Sequence, residues 1–389
     1  MSGYIFSISQ SAWDDFLSND LSKGYFTPLV PEVTADVSAR KTNFLNNVMV
    51  ATFGDLITMR PGDNIYFLSN RKLYGIGKAI RIGEDCKYEN YENSSAILPD
   101  YRMNPTSFLT TESTRARWVF FFAPSPYFFS HGVDMDDVLR YKPYAFKMLR
   151  AFEGLTFIKI DDEENRALRE FISLENEKYY ADIDAETIAF DDSVHTRVSS
   201  MDLSNFKMDI SKALLDENNR DHVLSEMFVE SFCLQKLSRS ETAVFGDWDH
   251  LTHQVIASPF KPLKYIDKID GFGYRFSRHY EDNPELITKY IIIEFKKDKI
   301  RKPALEQTMQ YVDWVCKEYA FGDYSKIEAY VVGNGIVRHT AEYKEEVCQR
   351  QYIASTHPAT PEKWDDLHLI KYEFTDNDIV FSELLEVEE

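Results

Sequence analysis

The feature that most constrains the fold is a strand, helix, strand pattern in the second half of the chain. An isoleucine-rich apolar run at 289–296 is followed by a helical pattern at 303–319 and by a second apolar run at 327–333. Two strands joined through a helix are typical of a parallel crossover, in which the helix packs on the sheet. The sequence therefore predicts a mixed α/β domain, with a mixed sheet flanked by helices.

Two charged residues lie at the end of the first of these strands. Side chains alternate along a strand, so Glu294 and Lys296 share one face while Ile293 and Phe295 share the other. A carboxylate and an ammonium group therefore stand side by side on a strand otherwise suited to a core. If a second carboxylate joins them, the hard oxygen ligands suit Mg²⁺, with Mn²⁺ as an alternative, and the lysine can steer water.

A shorter strand-like run at 265–270 offers two aspartates for that position. Asp267 and Asp270 are three residues apart, so they face opposite sides of a strand. Asp267 lies within the run, whereas Asp270 adjoins Gly271, where we expect the run to break. This position favours Asp267 as the second carboxylate, and Asp270 remains the alternative.

A helical pattern over 209–237 carries a further acidic candidate. Glu226 lies at the edge of its apolar stripe, and Glu230 falls on the stripe itself, with Val223, Met227, Leu234 and Leu237. A carboxylate on the apolar side of a helix is costly to bury unless it is paired or bound to a metal ion. Glu230 is therefore preferred and Glu226 stays open. An ion pair of Glu230 with a lysine or arginine is the structural alternative.

The ordered set Asp267, Glu294-x-Lys296 and Gln307-x-x-x-Tyr311 resembles the PD-(D/E)XK nuclease superfamily, in particular its RecB-like branch. The last two residues are four apart, so they lie on one face of a helix. The resemblance implies a restriction-endonuclease-like domain that hydrolyses phosphodiester bonds of DNA with Mg²⁺. It also implies that Gln307 and Tyr311 fix the nucleophile or the scissile phosphate.

The same resemblance implies roles for the residues on the strands and on the earlier helix. Asp267, Glu294 and the backbone carbonyl of Phe295 would hold the metal ion. Lys296 would orient or activate the attacking water. Glu230 would support a water molecule or a second metal ion.

The charge of the chain limits how it can contact DNA. A formal net charge of −20 counts against a protein that coats nucleic acid indiscriminately. Phosphate contact then needs a local patch of lysine and arginine. One such patch directly follows the Glu-x-Lys strand and comprises Lys297, Lys299, Arg301 and Lys302. Its place beside the expected metal site favours contact with the DNA backbone over a solvated loop.

A second set of strand signals lies in the first 160 residues. A turn at 61–63 precedes apolar runs at 64–68 and 73–80 with a polar turn between them, which predicts a β-hairpin. Gly75 and Gly77 in the second run indicate a bend or a close backbone approach. The pattern resembles the core of EVE and other PUA-like domains, small β-barrels that recognise modified bases or structured RNA.

The PUA-like resemblance implies a barrel closed by the strand at 117–122 and a pocket for a flipped base. Trp118, Tyr66 and Trp13 would line this pocket and stack on the base. The alternative is that these aromatic side chains belong to the core, where most buried aromatic residues are found.

The length of 389 residues suits two or three domains. We expect a PUA/EVE-like β-barrel over 1–160 and an acidic helical linker over 161–208. The nuclease domain would occupy 209–389 and end in an edge strand near residues 369–374.

Several classes of protein and site are disfavoured by the sequence. No apolar run approaches the length of a membrane span and no signal-peptide pattern is present, so we expect no membrane partner. Four scattered cysteines without a CxxC pattern suit a reducing cytoplasm. His250-x-x-His253 lacks the further ligands of a zinc site, so we expect a surface or DNA-facing loop there.

A sensor domain joined to a nuclease resembles antiphage nucleases of the Shedu type and modification-dependent restriction enzymes. The resemblance implies DNA as partner, recognition of modified bases or DNA ends, and assembly into a homodimer or homotetramer. Two rivals stay open. One is a non-catalytic nucleic-acid-binding or scaffold protein with a degenerate nuclease fold, and the other is a nuclease that acts on RNA.

Overall fold

The computed structural model describes residues 1–19, 21–30, 39–92, 109, 115–152, 156–211, 225–257, 267–277, 286–375 and 378–384. Within these ranges the chain is mixed α/β and divides into two compact units, Met1–Asp209 and Ile210–Glu389. None of the helices in these ranges is both long enough and apolar enough to cross a membrane.

The first unit is built on one mixed sheet with helices packed around it. Its strands are β1 (Gly3–Ser7), β2 (Tyr25–Phe26), β3 (Asn64–Ser69), β4 (Lys72–Ala79), β5 (Lys87–Glu89), β6 (Trp118–Pro124), β7 (Val133–Asp134) and β8 (Phe157–Ile160). Its helices are α1 (Gln10–Asn19), α2 (Ala39–Ile57), α3 (Met135–Tyr141), α4 (Asp162–Glu175), α5 (Ile183–Glu186) and α6 (Ser193–Ser199).

The strand order of this sheet differs from a closed barrel. The strands pair in the order β2, β6, β4, β3, β1, β8, with β5 joined to β6 and β7 joined to β4. β6, expected to close the barrel, therefore lies inside the sheet. No pairing among the described strands joins β2 to β8, so within these ranges the sheet is open.

The predicted hairpin is confirmed. β3 and β4 pair antiparallel and are joined by Asn70 and Arg71, whose φ angles are 48° and 58°. Two successive positive φ angles are the backbone of a type I′ turn, whose twist matches the twist of the flanking strands. The predicted close approach is also present, because a Cβ atom at Gly75 would stand 2.8 Å from the ring of Tyr66.

The segment 161–208, expected as a linker, belongs to the body of the first unit. Leu168 and Ile172 on α4 lie in a buried cluster with residues of β1, β3 and β4. Farther along, His195 donates a hydrogen bond from Nε2 to the carbonyl of Gly24 at 2.8 Å. The apolar stripe of α4 needs a surface to cover it, and the sheet supplies that surface.

Asn165 on α4 joins three parts of the first unit. Its amide nitrogen donates to the carbonyl of Met1 at 2.9 Å and to Oδ1 of Asn64 at 3.0 Å. Its Oδ1 accepts a hydrogen bond from the hydroxyl of Tyr66 at 2.8 Å. Asn165, Asn64 and Tyr66 are all buried. Loss of the Asn165 amide therefore leaves buried polar groups without partners.

The second unit is a mixed sheet flanked by helices. Its helices are α7 (Glu226–Ser238), α8 (Lys302–Glu318) and α9 (Thr340–Val347). Its strands are β9 (His250–Ile256), β10 (Lys268–Phe276), β11 (Ile287–Phe295), β12 (Ile327–Gly333), β13 (Arg350–Thr356), β14 (Ala359–Trp364), β15 (Leu367–Phe374) and β16 (Ile379–Glu383). β13 and β14 form a separate hairpin that the sequence pattern did not reveal.

The predicted crossover is confirmed. The main sheet has the order β16, β15, β12, β11, β10, β9, and β11 runs parallel to β12 with α8 between them in the chain. β11 is an interior strand, and residues 290–295 are all buried. A near-continuous apolar run is typical of a strand that is covered on both faces.

The glycines of β10 do not end the strand, contrary to the expected break. Gly271 and Gly273 lie within Lys268–Phe276. A Cβ atom at Gly273 would stand 2.4 Å from the carbonyl oxygen of His250. These glycines therefore allow close contact with the neighbouring strand, which a larger residue would prevent.

Two other segments also differ from expectation. β9 occupies part of the stretch expected as a loop, and it buries both His250 and His253. Near the end of the chain, β15 pairs with β12 on one side and with β16 on the other, so β16 is the edge strand.

Three parts of the sequence predictions fall outside the described residues. They are residues 265–266 of the aspartate run, residues 212–224 of the predicted helix, including Val223, and residues 278–285 between β10 and β11.

Asn165→Leu is expected to destabilise the first unit by roughly 2–4 kcal/mol, because it leaves the Tyr66 hydroxyl and the Asn64 amide without their buried partner. Urea denaturation followed by circular dichroism measures the change. Arg166→Ala, an exposed substitution on the next residue of α4, is the matched control. Equal stabilities for the two variants would show that the hydrogen bonds of Asn165 contribute nothing.

Candidate functional site

Two acidic side chains face each other at the junction of β10 and β11. The antiparallel register pairs Gly271 with Ile293, which sets Asp270 opposite Glu294 on one face of the sheet. Oδ2 of Asp270 accepts a hydrogen bond from the backbone amide of Phe295 at 2.9 Å. The hairpin register therefore brings together Asp270, Glu294 and the backbone of Phe295.

Asp267, the aspartate favoured from the sequence, lies immediately before β10. Its main-chain carbonyl accepts a hydrogen bond from the amide of Ala257 at 2.9 Å. Its charge reaches Tyr311, where it acts to raise the pKa of the phenol, after the larger effect of burial. Because side chains three residues apart face opposite sides of a strand, the structure pairs Asp270 and not Asp267 with Glu294.

Glu294 is a buried acid of this site whose pKa is strongly raised. Its side chain is 1% exposed, and its Oε2 atom is buried and accepts no hydrogen bond from a described residue. Burial, followed by the charge of Asp270, raises the pKa of Glu294 to about 9. Burial also raises the pKa of Asp270, although hydrogen bonds to the Phe295 amide and to Glu294 oppose the shift. The two carboxyl groups therefore favour holding a proton, or a cation, between them.

Lys296 supplies the positive charge nearest to this pair. Its Nζ lies 2.5 Å from Oε1 of Glu294 and 3.7 Å from Oε1 of Glu226. Burial acts to lower the pKa of Lys296, but the charges of Glu294, Glu226 and Asp270 outweigh it and the pKa is raised. The lysine is therefore an ammonium group at neutral pH. Glu226 is fixed further by a hydrogen bond from the amide of Lys297 at 3.2 Å.

Glu230 pairs with a histidine, not with the lysine or arginine considered as its alternative partner. Its Oε1 lies 2.7 Å from Nδ1 of His253, and each side chain is 2% exposed. Burial raises the pKa of Glu230 to about 7, and the hydrogen bond with His253 limits the shift. The charge of Asp270 also raises this pKa, so Glu230 belongs to the same acidic site.

His253 and Gln254 also belong to the site, although the sequence pattern does not place them there. Gln254 has a φ of 54° and donates from Nε2 to Oδ1 of Asp270 at 3.3 Å. A left-handed residue interrupts the alternation of side chains along β9, so the adjacent His253 can still reach Glu230. The β-branched residues Thr252, Val255 and Ile256 are the sequence signal for a strand here.

The helix α8 carries the last two predicted residues. Gln307 donates from Nε2 to the hydroxyl of Tyr311 at 2.7 Å, so the two side chains share one face as the spacing predicts. Tyr311 is buried, and burial raises its pKa while the charges of Glu294 and Asp270 act in the same direction. Tyr311 therefore stays protonated and is within electrostatic reach of the acidic pair.

The basic patch lies in the segment that follows β11 and is exposed at all four positions, Lys297, Lys299, Arg301 and Lys302. The amide of Ile300 donates to the carbonyl of Gly335 at 2.8 Å, which anchors the segment. Nζ of Lys302 lies 4.4 Å from the centre of the Tyr343 ring. Within the described ranges none of the four basic side chains forms an ion pair, so their charges are available to an external anion.

The charge balance of the site favours a cation. Glu226, Asp270 and Glu294 act on the ammonium group of Lys296, and Glu230 lies within electrostatic reach of Asp270. In the part of the chain that the structure describes, no group of three or more His, Cys, Asp and Glu side chains has the geometry to hold a metal. Mg²⁺, however, is often held by one or two carboxylates and completes its shell with water or phosphate oxygens. Oε2 of Glu294, which accepts no hydrogen bond from a donor among the described residues, could be such a carboxylate ligand of Mg²⁺.

The three aromatic residues proposed for a base pocket are all buried. Tyr66 donates its hydroxyl hydrogen to Asn165. The ring of Trp118 lies 6.1 Å from that of Phe53, and the ring of Trp13 lies 4.2 Å from that of Tyr74. Each thus contacts a different residue. These contacts agree with the alternative of core residues, and the pocket lined by the three stays a prediction.

Glu294→Gln is expected to change the pH dependence of stability. The folded-state pKa of Glu294 is raised, so its contribution is fully present below about pH 4.5 and is lost as the pH rises towards 9. Each unit of pKa difference is worth about 1.4 kcal/mol. The wild type should lose stability relative to Glu294→Gln, by on the order of 1 kcal/mol or more, between acidic and alkaline pH.

Urea unfolding in EDTA at several pH values measures this difference, and the exposed Glu373→Gln serves as control. Parallel pH profiles for wild type and Glu294→Gln would contradict the raised pKa.

Comparisons with known proteins leave this site to be interpreted from its own geometry. No protein-family model matches the chain, and no curated protein matches it in sequence.

Proposed function

We propose that the second unit is a metal-dependent nuclease that hydrolyses phosphodiester bonds of DNA. The observation that carries the proposal is the facing pair Asp270 and Glu294. Lys296 follows Glu294 by two residues in the chain, and its ammonium group contacts the Glu294 carboxylate. Oε2 of Glu294 supports it, because this oxygen accepts no N–H or hydroxyl hydrogen bond from a described residue, and a buried carboxylate oxygen without a donor is costly unless a cation or proton occupies it. The resemblance to the PD-(D/E)XK superfamily agrees with this order of residues, with Asp270 in the aspartate position.

The residues of the site suit distinct roles in such a hydrolysis. Asp270, Glu294 and the Phe295 carbonyl would hold Mg²⁺ or Mn²⁺, which lowers the pKa of a bound water and offsets charge on the phosphate. Lys296 would turn from Glu294 towards the attacking water and orient it for attack on phosphorus. Glu230, fixed by its hydrogen bond to His253, would hold a second water at the edge of the site.

The side chains of α8 would act on the substrate. Gln307 and Tyr311 are joined by a hydrogen bond and offer an amide and a protonated phenol as neutral donors. Neutral donors can bind a phosphate oxygen without adding to the negative charge of the site. The place of Tyr311 within electrostatic reach of Asp270 and Glu294 supports contact with the scissile phosphate.

The basic patch would contact the DNA backbone beside the site. Its four side chains are exposed and unpaired within the described ranges, whereas the chain as a whole carries a net charge of −20. Binding would then be local and strongly dependent on salt. The resemblance to Shedu-type and modification-dependent enzymes extends the proposal to antiphage defence or restriction, by a homo-oligomer.

Lys296→Ala is expected to lower the rate of DNA cleavage by at least about 100-fold, because the group that orients the water is lost. DNA affinity should stay within about threefold, since other basic residues supply most backbone contacts. Cleavage of linear and supercoiled DNA in Mg²⁺ and in EDTA measures the first effect, and fluorescence anisotropy measures the second. Lys317→Ala, at an exposed lysine of α8, is the matched control.

The same assay separates the rival functions. Binding of DNA by the wild type without cleavage under any metal would favour the non-catalytic binding protein. Faster cleavage of an RNA strand of the same sequence would favour an RNA-directed nuclease. Cleavage that persists in EDTA or in Lys296→Ala would contradict the proposed site.

Metal binding itself distinguishes the two aspartates. Saturating Mn²⁺ or Mg²⁺ should raise the melting temperature of the wild type by roughly 5 °C, because a ligand that binds only the folded state stabilises it. Asp270→Asn should abolish this shift, whereas Asp267→Asn, the matched control, should retain it. Loss of the melting-temperature shift in Asp267→Asn alone would show that Asp267 is the metal ligand. A shift retained in both variants would show that neither aspartate binds the metal ion.

A further inference from the structure

The outward face of α4 in the first unit borders an open cavity of about 690 Å³. Arg166, Arg169 and Ser173 succeed one another at spacings of three and four residues, so they lie on one face of the helix. Tyr141 from the end of α3 and Tyr180 from the segment after α4 complete the wall. All residues of this wall belong to the first unit, whereas the residues of the acidic site belong to the second.

The two arginines of this wall do not stabilise the fold through ion pairs or hydrogen bonds among the described residues. Both are exposed, and neither forms an ion pair or hydrogen bond with a described residue. The nearby Glu170 is already engaged by an ion pair with Lys142. In a chain with a net charge of −20, two adjacent guanidinium groups without acidic partners are a local site for an anion.

The two tyrosines offer flat apolar surfaces beside these arginines. Tyr141 is 37% exposed and packs on Phe171 with ring centres 5.2 Å apart. Tyr180 is 46% exposed and packs on Phe129 with ring centres 5.9 Å apart. Each ring therefore packs on a neighbouring aromatic ring and keeps more than a third of its surface exposed, although Nζ of Lys142 also lies 5.3 Å from the centre of the Tyr141 ring. Exposed tyrosine rings of this kind can stack on a planar ligand.

We propose that this cavity binds a phosphorylated nucleoside, with the phosphate on Arg166 and Arg169 and the base stacked on Tyr141 or Tyr180. The planar guanidinium group donates two parallel hydrogen bonds to a phosphate, and tyrosine rings stack on any base. The volume lies within the range of ligand pockets, roughly 300–1,000 Å³. The carboxylate of Glu177 at the rim accepts hydrogen bonds, which suits an amino or hydroxyl group of the nucleoside and disfavours a bare phosphate.

Such a ligand has two sources, a free nucleotide and the terminal nucleotide of a strand. Titration calorimetry of the full chain in EDTA with ADP, and separately with an oligonucleotide that carries a terminal phosphate, distinguishes them. Adenosine and inorganic phosphate, each alone, are the partial ligands. We expect ADP or the phosphorylated oligonucleotide to bind at least about tenfold more tightly than either partial ligand, since both the charged and the stacked contacts contribute.

Substitutions test whether the binding occurs in this cavity. Arg166→Ala and Arg169→Ala should each weaken binding of the phosphorylated ligand about tenfold. Tyr180→Leu should weaken binding of the nucleotide but not binding of inorganic phosphate. Arg140→Ala and Tyr144→Leu are matched controls, because both residues are exposed and lie outside the cavity wall. Circular dichroism checks that every variant is folded.

The proposal is supported only if the cavity variants lose affinity and the controls do not. Absence of binding of both phosphorylated ligands at millimolar concentration would overturn it. Equal binding by wild type and the double arginine variant would also overturn it. Because the assay contains EDTA and reads binding alone, its outcome is independent of whether the second unit cleaves DNA.

Discussion

The second unit depends on one costly interaction, the burial of Glu294 opposite Asp270 in the middle of a sheet. β11 lies between β10 and β12 within the sheet, and Glu294 is only 1% exposed, so its carboxylate is shielded from bulk water. Removing a charge from water costs several kcal/mol by itself, about the whole stability of many domains. Lys296 offsets part of this cost at Glu294, and the Phe295 amide donates a hydrogen bond to Asp270. One oxygen of Glu294 receives no hydrogen bond from a described donor, and the proposed metal site rests on this oxygen.

The neighbouring elements are arranged to support this pair. A left-handed residue, Gln254, interrupts β9 and places its amide on Asp270, and the preceding His253 holds Glu230 of α7. Glycine at positions 271 and 273 lets β9, β10 and β11 approach closely without steric conflict. Backbone strain at a non-glycine residue persists only where the surrounding contacts maintain it. Here it coincides with the acidic site.

The first unit shows how one helix serves two purposes. The inner face of α4 packs on the sheet through Leu168 and Ile172 and carries the hydrogen-bonded Asn165. Its outer face carries Arg166 and Arg169, which form no ion pair or hydrogen bond with a described residue. The acidic composition of this segment suggested a solvated linker, because charge along the sequence does not show which face of a helix is covered. The apolar stripe of α4 was the more reliable signal that this segment packs on the sheet.

The sequence by itself determined the elements whose signals are local. The hairpin of β3 and β4 and the crossover of β11, α8 and β12 follow from side-chain periodicity and turn residues, and the common face of Glu294 and Lys296 follows from the two-residue period of a strand. Only the tertiary structure decided that Asp270 and not Asp267 lies opposite Glu294, because this depends on the register between two strands. It also decided that His253 meets Glu230, because these residues are 23 positions apart and their contact depends on how a helix packs on a sheet.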